Sequence, residues 1–282
     1  MVYDLVLQGN ALPTHLLERL LEATGAHRVD PRPPQATRLT DARRTAAFDA
    51  LIPHIEAERL DWAFIPQGVR LADYGLIAFD MDSTLITIEC IDELADFAGR
   101  KNEVAAVTAA AMRGEIDYPE SLRQRLAFLG GLDARVLARV YNERLLLSPG
   151  ARELLDAARS AGLATAILSG GFTYFTERLR IELGFDFATS NELEIAGGKL
   201  TGRVIGQIVD AQAKARHLKT LREKLGLSRE KVIAVGDGAN DIPMMTEAGL
   251  SVAYHAKPAT CAQADVALIF SNLDGILNFF VT

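Results

Sequence analysis

Four short, strongly apolar runs mark the second part of the chain: Gly75–Phe79, Ala164–Leu168, Val232–Val235 and Val266–Phe270. Each ends in small or polar residues. Unbroken apolar runs of this length suit strands buried on both faces. Between them, Ala151–Ala161, Thr173–Leu183 and Ala211–Leu225 carry helical periodicity. Strands alternating with helices predict an α/β fold with a Rossmann-like parallel sheet and right-handed crossovers. From about Leu85 to Leu147 the pattern is helical with no clear strand, which predicts a helical cap inserted at about 86–147. Asn191–Gly206 interrupts the alternation again and predicts a β-hairpin turning at Gly197-Gly198.

The first 70 residues read differently. Val2–Leu7 suits a strand and Leu12–Thr24 a helix, Pro31-Arg32-Pro33-Pro34 a loop, and Asp41–Arg59 a helix. This predicts a small α+β N-terminal domain over 1–70, followed by a core over 71–282 that carries the cap. The 282 residues, 49% apolar and 24% charged, are enough for one large unit and one smaller one.

Net charge is -7. The Arg43-Arg44 pair is isolated, and the Lys and Arg around 214–224 alternate with apolar positions, so there is no basic face for nucleic acid. An acidic protein that handles an anion must gather its cations locally. No apolar run approaches the roughly 20 residues needed to span a bilayer. The opening residues do not read as a signal peptide. Cys90 and Cys261 stand far apart and suit reduced thiols in a cytoplasmic protein.

The chemistry lies in four places. Asp80 and Asp82, in Phe79-Asp-Met-Asp-Ser-Thr-Leu85, directly follow the first core strand, where sites of open α/β sheets gather. Ser169-Gly170-Gly171 follows the second and precedes a helix, offering a hydroxyl and backbone N–H groups to a phosphate. Lys214 sits on a predicted amphipathic helix. Asp237-Gly238-Ala239-Asn240-Asp241 follows the third strand and offers oxygen ligands to a hard cation. Taken singly, each also fits a turn, a helix cap or a solvated charge.

Their order and spacing resemble the four motifs of the haloacid dehalogenase-like hydrolase superfamily, from about Gly75 to the C-terminus. Asp80–Gly99 and Ala111–Arg125 further resemble the phosphoserine phosphatase family within it. The first 70 residues are similar in placement to the variable, regulatory-type domain of longer bacterial members.

The resemblance implies a Mg²⁺-dependent phosphomonoesterase acting on O-phosphoserine. Asp80 would be the nucleophile and Asp82 the general acid. Mg²⁺ would be held by the Asp80 and Asp237 carboxylates and the Asp82 backbone carbonyl. Ser169, Gly170, Lys214 and Asn240 would hold the phosphate. Asp241 would orient Lys214 or a metal-bound water. Glu89 would face the substrate ammonium, Arg125 its carboxylate, and Tyr118 would form a pocket wall. Hinges would lie near Thr84–Ile88 and Leu146–Gly150, and a homodimer is compatible with this reading. The same residues leave open another small phosphomonoester, or transfer to an alcohol acceptor in place of water.

Overall fold

A computed structural model describes residues 2–32 and 36–281. The N-terminal part comprises strand β1 (Tyr3–Gly9), helix α1 (Thr14–Thr24), β2 (Arg28–Arg32), β3 (Ala36–Ala42), α2 (Ala46–Asp49), α3 (Ile52–Ala57) and β4 (Leu60–Pro66). Its antiparallel sheet runs β2-β3-β1-β4. Successive side chains of a strand point to opposite faces. On one face Leu5 and Leu7 pack with Leu16, Leu20 and Phe48. On the other, Val6, Ala63 and Ile65 join the main core.

This part departs from the sequence reading in several places. Pro31 and Arg32 belong to β2, not a loop, while Pro33 and Pro34 lie outside the described residues. An edge strand tolerates proline because one side of its backbone needs no partner. The helix expected over Asp41–Arg59 is two short helices, and β3 and β4 were not foreseen.

The larger sheet is built from β5 (Leu76–Phe79), helices α4 (Cys90–Phe97), α5 (Lys101–Met112), α6 (Tyr118–Ala127), α7 (Val136–Glu143) and α8 (Ala151–Ser160), then β6 (Ala164–Phe172), α9 (Thr173–Leu183), β7 (Phe187–Ala196), β8 (Lys199–Ile205), α10 (Ala211–Lys224), β9 (Val232–Gly236), α11 (Ile242–Thr246), β10 (Leu250–Tyr254), α12 (Pro258–Cys261) and β11 (Val266–Leu268). A 3₁₀ segment, Leu273–Phe279, follows. The strand order is β11-β10-β9-β5-β6-β7-β8, parallel except for the hairpin strand β8. Every residue of β5 and β9 is buried, as their apolar runs require. Strand β10 was not foreseen, because Ser251 interrupts its apolar pattern.

Helices α4 to α7 form the cap between β5 and α8. An antiparallel bridge, Ile86 to Leu147, pins its two stems together. No helix among the described residues is long and apolar enough to cross a membrane.

The N-terminal sheet is joined to the C-terminal stretch by polar groups. The buried Asp61 carboxylate accepts the backbone N–H groups of Ile269, Phe270 and Ser271 at 2.8–3.2 Å. Ile269 and Phe270 continue the apolar run of β11 but, with Ser271, lie beyond the strand, and Asp61 takes up their backbone N–H groups. Arg38, 1% exposed, pairs with Asp4 (3.0 Å) and donates to the Asn278 carbonyl (2.9 Å). Burying a donor without its acceptor costs about 1–3 kcal/mol. Asp61→Ala strands several at once, so we expect it to lower unfolding stability by about 2–5 kcal/mol, measured by urea denaturation.

Candidate active site

Parallel register brings the polar strand ends together. Phe79 pairs with Ile167 on one side and Val235 on the other. Asp80, Ser169 and Asp237 follow those residues by one or two positions, so they emerge side by side at the carboxyl edge. The Asp80 N–H donates to the Val235 carbonyl at 3.0 Å, extending the ladder one step.

Asp80 is 4% exposed. Its Oδ1 accepts from the Met81 N–H (2.8 Å) and pairs with Lys214 Nζ (2.7 Å). Lys214 stands one turn inside α10, whose start is capped by Asp210 accepting from the Ala213 N–H at 2.7 Å. Its ammonium also meets Asp241 Oδ1 at 2.8 Å. Burial alone would discharge it, but Asp241 and Asp80 outweigh burial and raise its pKa. Asp241, fully buried, takes the Gly238 N–H on its other oxygen (3.0 Å). Gly236 leaves room for it: a Cβ there would lie 2.6 Å from the Asp241 Cγ.

The turn Met81–Leu85 places the next groups. Ser83 adopts a left-handed conformation (φ 59°), strained for a non-glycine residue. Its N–H donates to the Ile88 carbonyl (3.2 Å) and its hydroxyl to Glu89 Oε1 (2.7 Å). The Thr84 hydroxyl donates to Asp237 Oδ1 at 2.9 Å. Asp82 has one oxygen, Oδ1, buried without a partner. Burial first, then the neighbouring Glu89, pushes its carboxyl up to about 8, against hydrogen bonds from Cys90.

On the next strand, β6 breaks register between Leu168 and Phe172. In this bulge the Gly171 N–H donates to Ser169 Oγ at 2.8 Å. A Cβ at Gly171 would stand 3.0 Å from Asp82 Oδ2, so glycine there preserves the space beside the acid.

These groups line a cavity of about 500 Å³ between core and cap. Asp80, Asp82, Ser169, Gly170, Asp237 and Asn240 form the core side. Glu89, Tyr118 and Arg125 form the cap side, with Met112, Ile116 and Leu122 as apolar wall. Lys214 and Asp241 lie beneath, both buried. Glu89 lines the pocket; burial of its carboxyl, then Asp92, raise its pKa, opposed by the Ser83 hydrogen bond and by the nearby positive charge of Arg125. The Arg125 Nε–H points back to the Ser121 carbonyl at 3.4 Å, a long contact. Asn240 reaches only weakly to Asp241, at 3.5 Å.

The structure therefore gathers every sequence-derived site residue around one cavity. It adds three supporting residues: Ser83 on Glu89, Thr84 on Asp237, and Asn191, whose Nδ2 donates to the Gly170 carbonyl. The Ser-Thr beside the Asp pair hinted at the first two. Asn191, in the hairpin strand, had no sequence signal.

Carboxylate oxygens of Asp80, Asp237 and Asp241 lie within 4.8 Å of one another. Three carboxylates and one ammonium leave two negative charges uncompensated, the charge of one divalent cation. Desolvation, then Asp241, pushes Asp237 up to about 7. An all-oxygen set suits a hard cation. Both Asp241 oxygens already carry donors, one of them Lys214, whereas Asp80 and Asp237 each have donors on Oδ1 alone and could face such an ion with Oδ2.

Residues 77–246 match the family model of the haloacid dehalogenase-like hydrolases. Over 214 residues the chain is 56% identical to the phosphoserine phosphatase of a Polaromonas species, covering 74% of this chain and 91% of that one. The unliganded crystal structure of a probable phosphoserine phosphatase from Vibrio cholerae aligns with a TM-score of 0.84 at 41% identity, over 99% of this chain and 86% of that one. A phosphoserine phosphatase structure of a phospho-aspartyl intermediate analogue aligns with a TM-score of 0.69 at 37% identity, over 74% of this chain and 99% of that one. The chain belongs to the haloacid dehalogenase-like hydrolases, in the phosphoserine phosphatase family.

Proposed function

We propose that the chain hydrolyses O-phospho-L-serine to L-serine and phosphate through a phosphoaspartyl intermediate on Asp80, the last step of L-serine biosynthesis. The observation that carries this reading is the cavity itself: a floor of Asp80, Ser169 and Gly170 faces a cap wall bearing one carboxylate and one guanidinium.

With Oδ1 held by Met81 and Lys214, Oδ2 of Asp80 is the oxygen left to attack phosphorus in line. The bond from phosphorus to the seryl oxygen breaks, and Asp82 gives that oxygen its proton, releasing serine. Water then attacks the phosphorus of the aspartyl phosphate. Asp82 takes the water's proton, Asp80 leaves as a carboxylate, and phosphate departs. Mg²⁺, held by Asp80, Asp237 and the Asp82 carbonyl, would supply charge neutralisation for an anion meeting a dianion. Ser169, the Gly170 N–H, Lys214 and Asn240 stabilise the transferring group. Glu89 takes the substrate ammonium, and Arg125 takes its carboxylate bidentately. The cap closes to exclude water and opens about stems pinned at Ile86 and Leu147.

The same reading treats residues 1–70 as a small α+β domain of regulatory type, packed against the core through Val6, Ala63 and Ile65. The two unpaired thiols, Cys90 and Cys261, fit a cytoplasmic setting. The reading is compatible with a homodimer, which sedimentation velocity would detect as a species of twice the chain mass.

The deciding experiment is phosphate release from O-phospho-L-serine, phosphothreonine, phosphotyrosine and sugar phosphates, with Mg²⁺ or EDTA. We expect a strong preference for phosphoserine, abolished by EDTA and restored by Mg²⁺. Preference for another ester would retain Asp80 and overturn the substrate. Asp80→Asn should reduce kcat by at least about 10³-fold, with no acid-stable labelling by ³²P substrate. Asp82→Asn should cost about 10²–10⁴-fold in steady-state kcat. Arg125→Lys should lower kcat/KM for phosphoserine about 10- to 100-fold and leave O-phosphoethanolamine, which lacks the carboxylate, unaffected.

A further inference from the structure

The carbonyl of Gly170 receives two side-chain donors from different parts of the fold. Asn191 Nδ2, on β7, donates at 2.7 Å, and the Tyr118 hydroxyl, at the start of cap helix α6, donates at 3.0 Å. A carbonyl oxygen has two lone pairs, so this one is fully used. Its peptide partner is the Gly171 N–H, which donates to Ser169 Oγ. A peptide unit is planar, so fixing the carbonyl also fixes the direction of that N–H. Ser169 Oγ then accepts from Gly171 and keeps its own proton to donate toward the cavity.

The two donors differ in kind. Asn191 is 2% exposed and belongs to the core. Its Oδ1 accepts the Val209 N–H at 2.8 Å, next to the Asp210 cap of the helix bearing Lys214. Asn191 thus joins the Ser169 loop to the Lys214 helix. Tyr118 arrives from the cap, so its contact with Gly170 joins cap to core. Glycine at 170 admits it: a Cβ there would clash with the Tyr118 hydroxyl and lie 3.2 Å from its Cζ. Burial pushes the Tyr118 hydroxyl up to about 12, so it remains a donor at neutral pH.

We infer that Asn191 and Tyr118 are positioning residues acting through the Gly170 carbonyl, Asn191 holding the phosphate loop permanently and Tyr118 latching the cap onto it. Closing the cap then completes the fixing of the loop that cradles the phosphate. This inference rests on the phosphatase reading of the site.

The test compares the wild-type chain with Tyr118→Phe, which removes one oxygen and keeps the ring. Hydrogen exchange of amides 86–88, 147, 148, 150 and 170–172 is measured by mass spectrometry, beside kcat/KM for O-phospho-L-serine and the thermal midpoint. Losing one neutral hydrogen bond should speed exchange and lower kcat/KM by about 3- to 10-fold each. The thermal midpoint should fall by no more than about 2–4 °C. Asn191→Asp should lower kcat further. Since both act on one carbonyl, the double variant should lose less than the product of the single effects.

Unchanged exchange in Tyr118→Phe overturns the latch, even where activity falls, since the hydroxyl would then act on substrate directly. Faster exchange with unchanged kcat/KM overturns the positioning role. If the wild-type chain releases no phosphate, the phosphatase reading fails, and exchange alone decides: faster sustains the latch, unchanged overturns it.

Discussion

The site is organised by the need to keep one buried ammonium charged. Lys214 is 1% exposed, and an unpaired ammonium there would be several kcal/mol unstable. Asp80 and Asp241 resolve this at 2.7 and 2.8 Å, and they come from loops after two adjacent strands. The Lys214 contact therefore depends on the register of β5 against β9 and on the phase of α10 set by its Asp210 cap. A shift of one residue in either would leave a charge buried alone. The same pairing occupies one oxygen of Asp80, which orients the other toward the cavity. Structural necessity and the proposed nucleophile are thus one constraint.

The polar seam between the two sheets follows the same logic on a larger scale. The 3₁₀ segment Leu273–Phe279 lies between the N-terminal sheet and the entry to α8. The Leu273 N–H donates to the Pro149 carbonyl at 2.9 Å, and Gly150, in a left-handed conformation, abuts Asp274. Asn278 receives Arg38 on its carbonyl and donates to Gln8 at 2.6 Å. The far stem of the cap is therefore braced, through this segment, against residues of the first sheet. The N-terminal sheet is part of the frame against which the cap would move.

Much of this was legible in the sequence, for physical reasons. Strands buried on both faces must be apolar throughout, so β5, β6 and β9 announced themselves. Asp80, Ser169 and Asp237 could be located because chemistry gathers where such runs end. What failed shares a different cause. β3 carries Arg38, a charge that reads as surface and becomes tolerable only through Asp4 and a carbonyl 240 residues away. β4 holds Asp61 within its apolar alternation, for partners that the local pattern cannot reveal. Asn191 was invisible because its partners, Gly170 and Val209, are defined only by the folded hairpin. Local pattern reports burial; it does not report which distant group satisfies a buried polar atom.

Asp82 shows why the two glycines of the β6 bulge matter beyond the phosphate. An ionised carboxylate with one oxygen buried and bare is unstable, and a proton on it is the inexpensive remedy. That proton suits the acid step, but a carboxyl that serves as acid and then as base needs space to turn. Gly171 provides it, since any side chain there would crowd Asp82 Oδ2. Gly170 admits the cap tyrosine in the same way. The Gly-Gly pair thus leaves one position open to the core acid and the next open to the cap. In the proposed mechanism the proton carrier and the lid would meet the phosphate loop on adjacent residues, so that closure and proton transfer would share one piece of backbone.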